Sequence, residues 1–205
     1  MGCQSHKLLE RQSLVLLAIR IFSLVVRRLK YHNKYFRLRI TFWYHSRMNK
    51  LLFTDEEYGK VLDNIVVACV DVAVTHQGSI LLEKREFMPI KDEWWIFGGR
   101  MLVGESFKET ARRSVFRELG VDIEDTNRFS ETGTFNLRWP TRREPISENG
   151  CHHLLIAHTV EVSNEEKEII DAFTKNKQDV IGWFDMRNHD LDLLPEIQSI
   201  IQKIM

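Results

Sequence analysis

The sequence predicts an α/β sandwich built around a mixed β-sheet. Three observations predict it. Valine-rich runs of strand length recur along the chain, two segments open with the paired residues of a helix capping box, and strands and helices are interleaved with hairpin-like connections.

The pattern becomes regular from Met48 onward. Thr54 and Glu57 have the capping-box spacing, and Phe53 and Tyr58 are placed to form a hydrophobic staple, so a helix starts here and ends near Asp63-Asn64. Ile65–Thr75 reads as a buried strand, Gln77-Gly78 as a turn, and Ser79–Lys84 as the returning strand. Trp94–Phe97 is a further short apolar run that ends at Gly98-Gly99. Ser106 and Glu109 form a second capping box. Its helix carries Phe107, Ala111 and Val115 at i, i+4 and i+8 and stops at Gly120. Strands follow at Glu131–Trp139 and His152–Val162, a helix at Ser163–Lys175, a strand at Val180–Asp185, and a terminal amphipathic helix opened by Pro195.

The formal net charge is zero, but it is unevenly placed. Residues 1–47 hold ten basic side chains and one acidic one, a net of +9 that leaves the remainder at −9. We read two regions: a basic extension, 1–47, and a folded domain, 48–205. Leu14–Val26 is too short to span a bilayer and contains Arg20. Arg27-Arg28-Leu29-Lys30 stands where a signal peptide would have its cleavage site, and His6 breaks the myristoylation pattern. A basic membrane-surface helix is one reading of this arm. The other, which we favour, is an extension without a role, with Met48 as the working start. Cys3, Cys69 and Cys151 form no CxxC pair and suit a reducing cytoplasm, with Cys69 and Cys151 as small core residues.

Chemistry concentrates between Gly98 and Val121. Gly99 is followed after five residues by Glu105 and after seven more by Arg113, with Glu118, Gly120 and Val121 behind it. This resembles the Nudix box, Gly-x5-Glu-x7-Arg-Glu-U-x-Glu-Glu-x-Gly-U, U being a bulky aliphatic residue. The resemblance covers roughly 48–205 and implies an α/β/α Nudix sandwich, a hydrolase, and a magnesium cofactor. It also implies that Glu105 and Arg113 meet and brace the loop against the helix. The box usually has carboxylates where this chain has Ser114, Arg117 and Glu118, and only Glu118 keeps one. A multi-metal site is therefore not expected, whereas a single magnesium needs only one or two carboxylates beside water and phosphate.

One Nudix branch, the GDP-mannose mannosyl hydrolases, also lacks the first two carboxylates, and the chain is similar to it beyond the box. Asp71 on the first hairpin, Lys84-Arg85 at the end of the returning strand, Gly98-Gly99-Arg100, Arg113 and Glu118-Leu119-Gly120 all match, and His152 is the best match for a histidine that opens a later strand. That branch implies a homodimer and displacement of GDP from the anomeric carbon by water. It implies magnesium on Glu118, the Gly98 carbonyl and Gln178, with Arg85, Arg100 and Arg113 stabilising the leaving group, and Asp71 and His152 touching the sugar or a phosphate. The branch's adjacent Gln-His becomes Gln178-Asp179 here if the loop is one residue shorter, which puts Asp179 at the base position. Without that gap Gln178 replaces the histidine. His153 should face away from His152, and His158 reads as structural. Trp139 with Arg138, Arg142 and Arg143 has two readings, a group that stacks on a base or binds phosphate and a basic surface loop, of which we favour the loop.

The leading expectation is a hydrolase of a nucleoside-diphosphate sugar, with GDP-mannose first. A pyrophosphohydrolase releasing a nucleoside monophosphate and a nucleotide-binding module without turnover are the alternatives. Nucleic acid ranks low as a partner, since only the basic arm speaks for it.

Overall fold

The computed structural model describes residues 54–145, 149–177, 180–188 and 190–205. The basic extension, Met48, Phe53, Gln178 and Asp179 lie outside the described residues.

Helix α1 (Asp55–Leu62) starts as its capping box requires: Thr54 Oγ1 accepts from Glu57 N at 3.2 Å, and the Glu57 carboxylate accepts from Thr54 N at 2.7 Å. Strand β1 (Val67–His76) turns through Gln77-Gly78 into β2 (Ser79–Lys84). Both turn residues have positive φ, +47° and +83°, the twist that a two-residue hairpin needs. Then come β3 (Trp94–Trp95), β4 (Phe97–Arg100) and α2 (Phe107–Leu119), with Ser106 and Glu109 completing the second capping box and Gly120 ending the helix at φ +73°. Strands β5 (Ser130–Trp139) and β6 (Cys151–Glu161) are followed by α3 (Asn164–Thr174), β7 (Ile181–Asp185) and α4 (Pro195–Ile204). No helix among the described residues is long and apolar enough to cross a membrane.

The seven-stranded sheet runs β3-β2-β1-β6-β5, with β4 also on β1 and β7 also on β2. β1 and β6 are parallel from Val67↔His153 to Thr75↔Glu161, and every other pairing is antiparallel, so the sheet is mixed as expected. Side chains alternate across β1. Val70, Val72 and Val74 pack with Ala111, Val115 and Leu119 of α2 and Ile170 of α3. Val67, Cys69 and Ala73 pack on the other face with Leu62 of α1 and Ile197, Ile200 and Ile201 of α4. Burying a valine, leucine or isoleucine in either layer contributes roughly 1.5–3 kcal/mol.

Three details differ from the sequence reading. The Trp94–Phe97 run is two strands. β2 pairs with β1 only over Val74–His76, so the edge of β1 from Cys69 to Val72 is left for β4, which carries Gly98 and Gly99 directly beside Asp71 and Val70. Phe107 is 44% exposed and lies near the His158 ring. The inward face of α2 is instead Thr110, Ala111, Ser114, Val115 and Leu119. The expectation of a basic surface loop fails at Arg142, which is buried. Its guanidinium donates to Asp63 Oδ1 at 2.6 Å, to the Gly59 carbonyl at 2.8 Å and to the Gly150 carbonyl. The C-terminal end of α1 offers the Asp63 carboxylate and the Gly59 carbonyl, which also accepts from Asp63 N, and a cation there meets both.

Candidate active site

A cleft of about 390 Å³ opens on the α1 face of the sheet, a volume suited to a small-molecule ligand. Its floor is β1, β4 and β6, and its rim includes the loops after β2 and β5. Of the residues singled out from sequence, Asp71, Arg85, Gly98, Arg100 and Glu118 all line it. Arg117 lines it too.

Asp71 sits opposite Gly98 in the β1–β4 register, and the approach is so close that a Cβ on Gly98 would lie 2.0 Å from Asp71 Oδ1. Only glycine fits there. Burial pushes the Asp71 carboxyl up to about 6, and the neighbouring Glu118 adds to the rise. The Trp95 indole N–H, donating at 2.8 Å, and the charges of Arg85 and Arg117 hold it back. Arg85 leaves β2 at the cleft edge, its backbone held by Glu93 and Asp92, while its buried Nε has no hydrogen-bond partner among the described residues. Arg100 ends β4 with its guanidinium 4.2 Å from the Tyr58 ring centre, and its buried Nη1 likewise has no such partner. Buried cationic donors without acceptors cost free energy unless an anion arrives.

Arg113 does not line the cleft. Its Nε and Nη2 donate to Glu105 at 2.5 and 2.8 Å, and Nη2 also reaches the Arg100 carbonyl at 2.9 Å. Glu105 further accepts from Leu102 N and Thr110 Oγ1. Burial raises the Glu105 carboxyl, but these hydrogen bonds together bring it below its ordinary value. The pair is the expected brace, and Arg113 acts on the loop, not on a ligand.

His152 does not line the cleft either. It bonds to Asn136 on β5, while His153 lines the cleft. The β1–β6 register pairs His153 with Val67 and Leu155 with Cys69, so Cys151, His153 and Leu155 share the cleft face with Cys69 and Asp71. Burial first, and then the Arg100 charge, lower the His153 imidazole, which favours its uncharged form. Cys69 and Cys151 are buried free thiols, pushed up by burial to about 12 and about 11, so they are inert walls. Phe87, Trp139 and Arg143 form the aromatic and basic rim, Arg143 lying 6.0 Å from the Phe87 ring centre. Gln178 and Asp179 lie outside the described residues, but Val180, next in the chain, accepts from Lys84 N at 2.6 Å beside Arg85.

The NUDIX domain model matches residues 64–204. The chain belongs to the NUDIX family. A curated relative, the low-salt glycan biosynthesis protein Agl8 of Haloferax volcanii, is 30% identical over 115 residues, 56% of this chain and 71% of that protein. Two solved Nudix structures share the fold. One is the MutT NUDIX hydrolase from Burkholderia pseudomallei, with a TM-score of 0.52, 19% identity, 69% of this chain covered and 100% of the other. The second is a mutT/nudix family protein from Listeria innocua, with a TM-score of 0.50, 20% identity, 67% of this chain covered and 90% of the other. The activity class of this Nudix chain is hydrolase.

Nudix hydrolases generally use a divalent metal such as magnesium. The described residues do not by themselves fit one. Of the three ligands that the sequence resemblance implies, the Gly98 carbonyl and Glu118 both accept from Arg117 Nη2, and Gln178 is outside the described residues. Magnesium requires oxygen lone pairs, and a guanidinium has only donors and positive charge. Among the described residues, no group of three or more His, Cys, Asp or Glu side chains is placed to hold a metal ion.

Proposed function

We propose that this Nudix protein hydrolyses a nucleoside-diphosphate sugar, GDP-mannose being the first candidate, by attack of water at the anomeric carbon. One observation carries the reading: Arg85 and Arg100, each with a buried guanidinium nitrogen that has no partner among the described residues, line a cleft that Asp71 and His153 also line. That set matches a diphosphate on one side and a sugar on the other. The relative's name ties that protein to glycan biosynthesis, a process that consumes activated sugars. The missing box carboxylates at Ser114 and Arg117 weigh against attack at phosphorus.

In this reading water forms a bond to C1 of the sugar as the C1–O bond to the diphosphate breaks. The electron pair leaves on the β-phosphate oxygen, where Arg85, Arg100 and Arg117 meet the developing charge. These arginines already line the cleft, so charge stabilisation does not need magnesium. Asp71 and His153 accept and donate hydrogen bonds at the sugar or the adjoining phosphate. Asp179 takes the proton from water, a task that carboxylates perform in inverting glycosidases. The protein works as a homodimer, as the resemblance implies.

The test incubates the full chain with a panel of nucleoside-diphosphate sugars in heavy-oxygen water. Nucleoside diphosphate plus free sugar carrying the label supports the reading. Nucleoside monophosphate plus sugar phosphate overturns it in favour of pyrophosphohydrolysis.

A further inference from the structure

Arg117 stands where the Nudix box has a carboxylate, so this position has changed sign as well as identity. Helix α2 places it against β4. Its Nη2 donates to the Gly98 carbonyl at 2.8 Å and to a Glu118 carboxylate oxygen. Those two oxygens are the ones that the resemblance gives to magnesium. Gly99 leaves room for this arrangement, since a Cβ there would lie 3.1 Å from the same nitrogen. A carbonyl, a carboxylate and a glycine gap thus converge on one guanidinium.

We infer that Arg117 is a resident cation standing in for magnesium, so that the cleft binds the diphosphate of its substrate without a divalent metal. The inference rests on the reading of the cleft as a nucleoside-diphosphate-sugar site. Its physical basis is simple. A guanidinium stays protonated across the working pH range and cannot dissociate or be chelated away. With Nη2 engaged, Nε and Nη1 make no hydrogen bond to a described residue and remain as donors for phosphate oxygens. Together Arg85, Arg100 and Arg117 set three positive charges against the carboxylates of Asp71 and Glu118. A purely structural role explains less. The Arg117 and Glu118 side chains are 43% and 26% exposed, and an ion pair this open adds little to stability.

Two measurements on the full chain test the inference, neither of which reads turnover. The first is calorimetry of GDP binding in EDTA and in excess magnesium. The expected result is binding in EDTA at least as tight as in excess magnesium, because magnesium that pairs with free GDP and not with the protein can only compete with the arginines. Arg117→Ala should weaken GDP binding in EDTA by about tenfold or more. Arg117→Glu, which restores the box carboxylate, should make GDP binding depend on magnesium. The second is a paramagnetic-resonance titration with manganese alone, where the wild type should leave manganese free and Arg117→Glu should bind it. GDP binding by the wild type only in the presence of magnesium, or manganese held by the wild type alone, overturns the inference. If GDP fails to bind in any condition, the sugar-nucleotide reading falls by itself. The manganese titration then still decides the role of Arg117, supporting it when only Arg117→Glu holds the metal.

Discussion

Arg113 and Arg117 are four residues apart on α2, and each pairs with a glutamate. Around Arg113 the pair is closed. The two side chains are 11% and 18% exposed, and Glu105 also takes a backbone N–H and a threonine hydroxyl. Around Arg117 the pair is open. It lines the cleft, engages a backbone carbonyl through one nitrogen, and leaves donors over. The same two residue types therefore give a brace in one place and a ligand-ready cation one turn further on. What separates them is how many of their hydrogen-bonding groups the protein itself satisfies.

The comparison breaks most visibly through stability. Arg113→Ala should cost about 3 kcal/mol in urea unfolding, because it strands a largely buried Glu105 carboxylate. Asp71 and Glu105 should then show opposite pH signatures. Asp71 is raised to about 6 from an ordinary 3.8, so its contribution to stability is present below the unfolded value and is lost as pH rises through about 6. Relative to wild type, Asp71→Asn should gain roughly 2–3 kcal/mol between pH 4 and 7, measured by chemical denaturation across that range. Glu105 is lowered, so its contribution is present above its ordinary 4.5 and is lost as pH falls through the folded value. Glu105→Gln should flatten that acid limb in the same experiment. A smaller effect is expected at Arg85, where Arg85→Ala should weaken GDP binding roughly 10- to 100-fold by calorimetry while leaving the unfolding midpoint unchanged or raised. Smallest of all, Arg117→Ala should change stability by less than about 1 kcal/mol in urea unfolding, in contrast to Arg113→Ala.

The elements legible in the sequence are those whose signal is local. The two capping boxes, the Gln77-Gly78 turn and the Glu105–Arg113 brace each show in residues within ten positions of one another, and each stands in the structure. Asp71, Arg85 and Arg100 came within reach through the resemblance, which matched them one by one, and all three line the cleft. What escaped depends on distant partners. Arg142 reads as surface because its partner Asp63 is 79 residues away. His153 rather than His152 faces the cleft because the register pairs it with Val67, on the same face of the sheet as Cys69 and Asp71, and that register is set by a strand 86 residues away in the chain. Arg117 was visible as a lost carboxylate, but its gain of the Gly98 and Glu118 oxygens appears only once α2 is laid against β4.

Crystals of the full chain grown with GDP and manganese, examined at the manganese absorption edge, test the central claim most directly. The account predicts phosphate oxygens on Arg85, Arg100 and Arg117, with no anomalous peak between the Gly98 carbonyl and Glu118. A manganese peak at that point, with Arg117 turned away from it, would contradict the account.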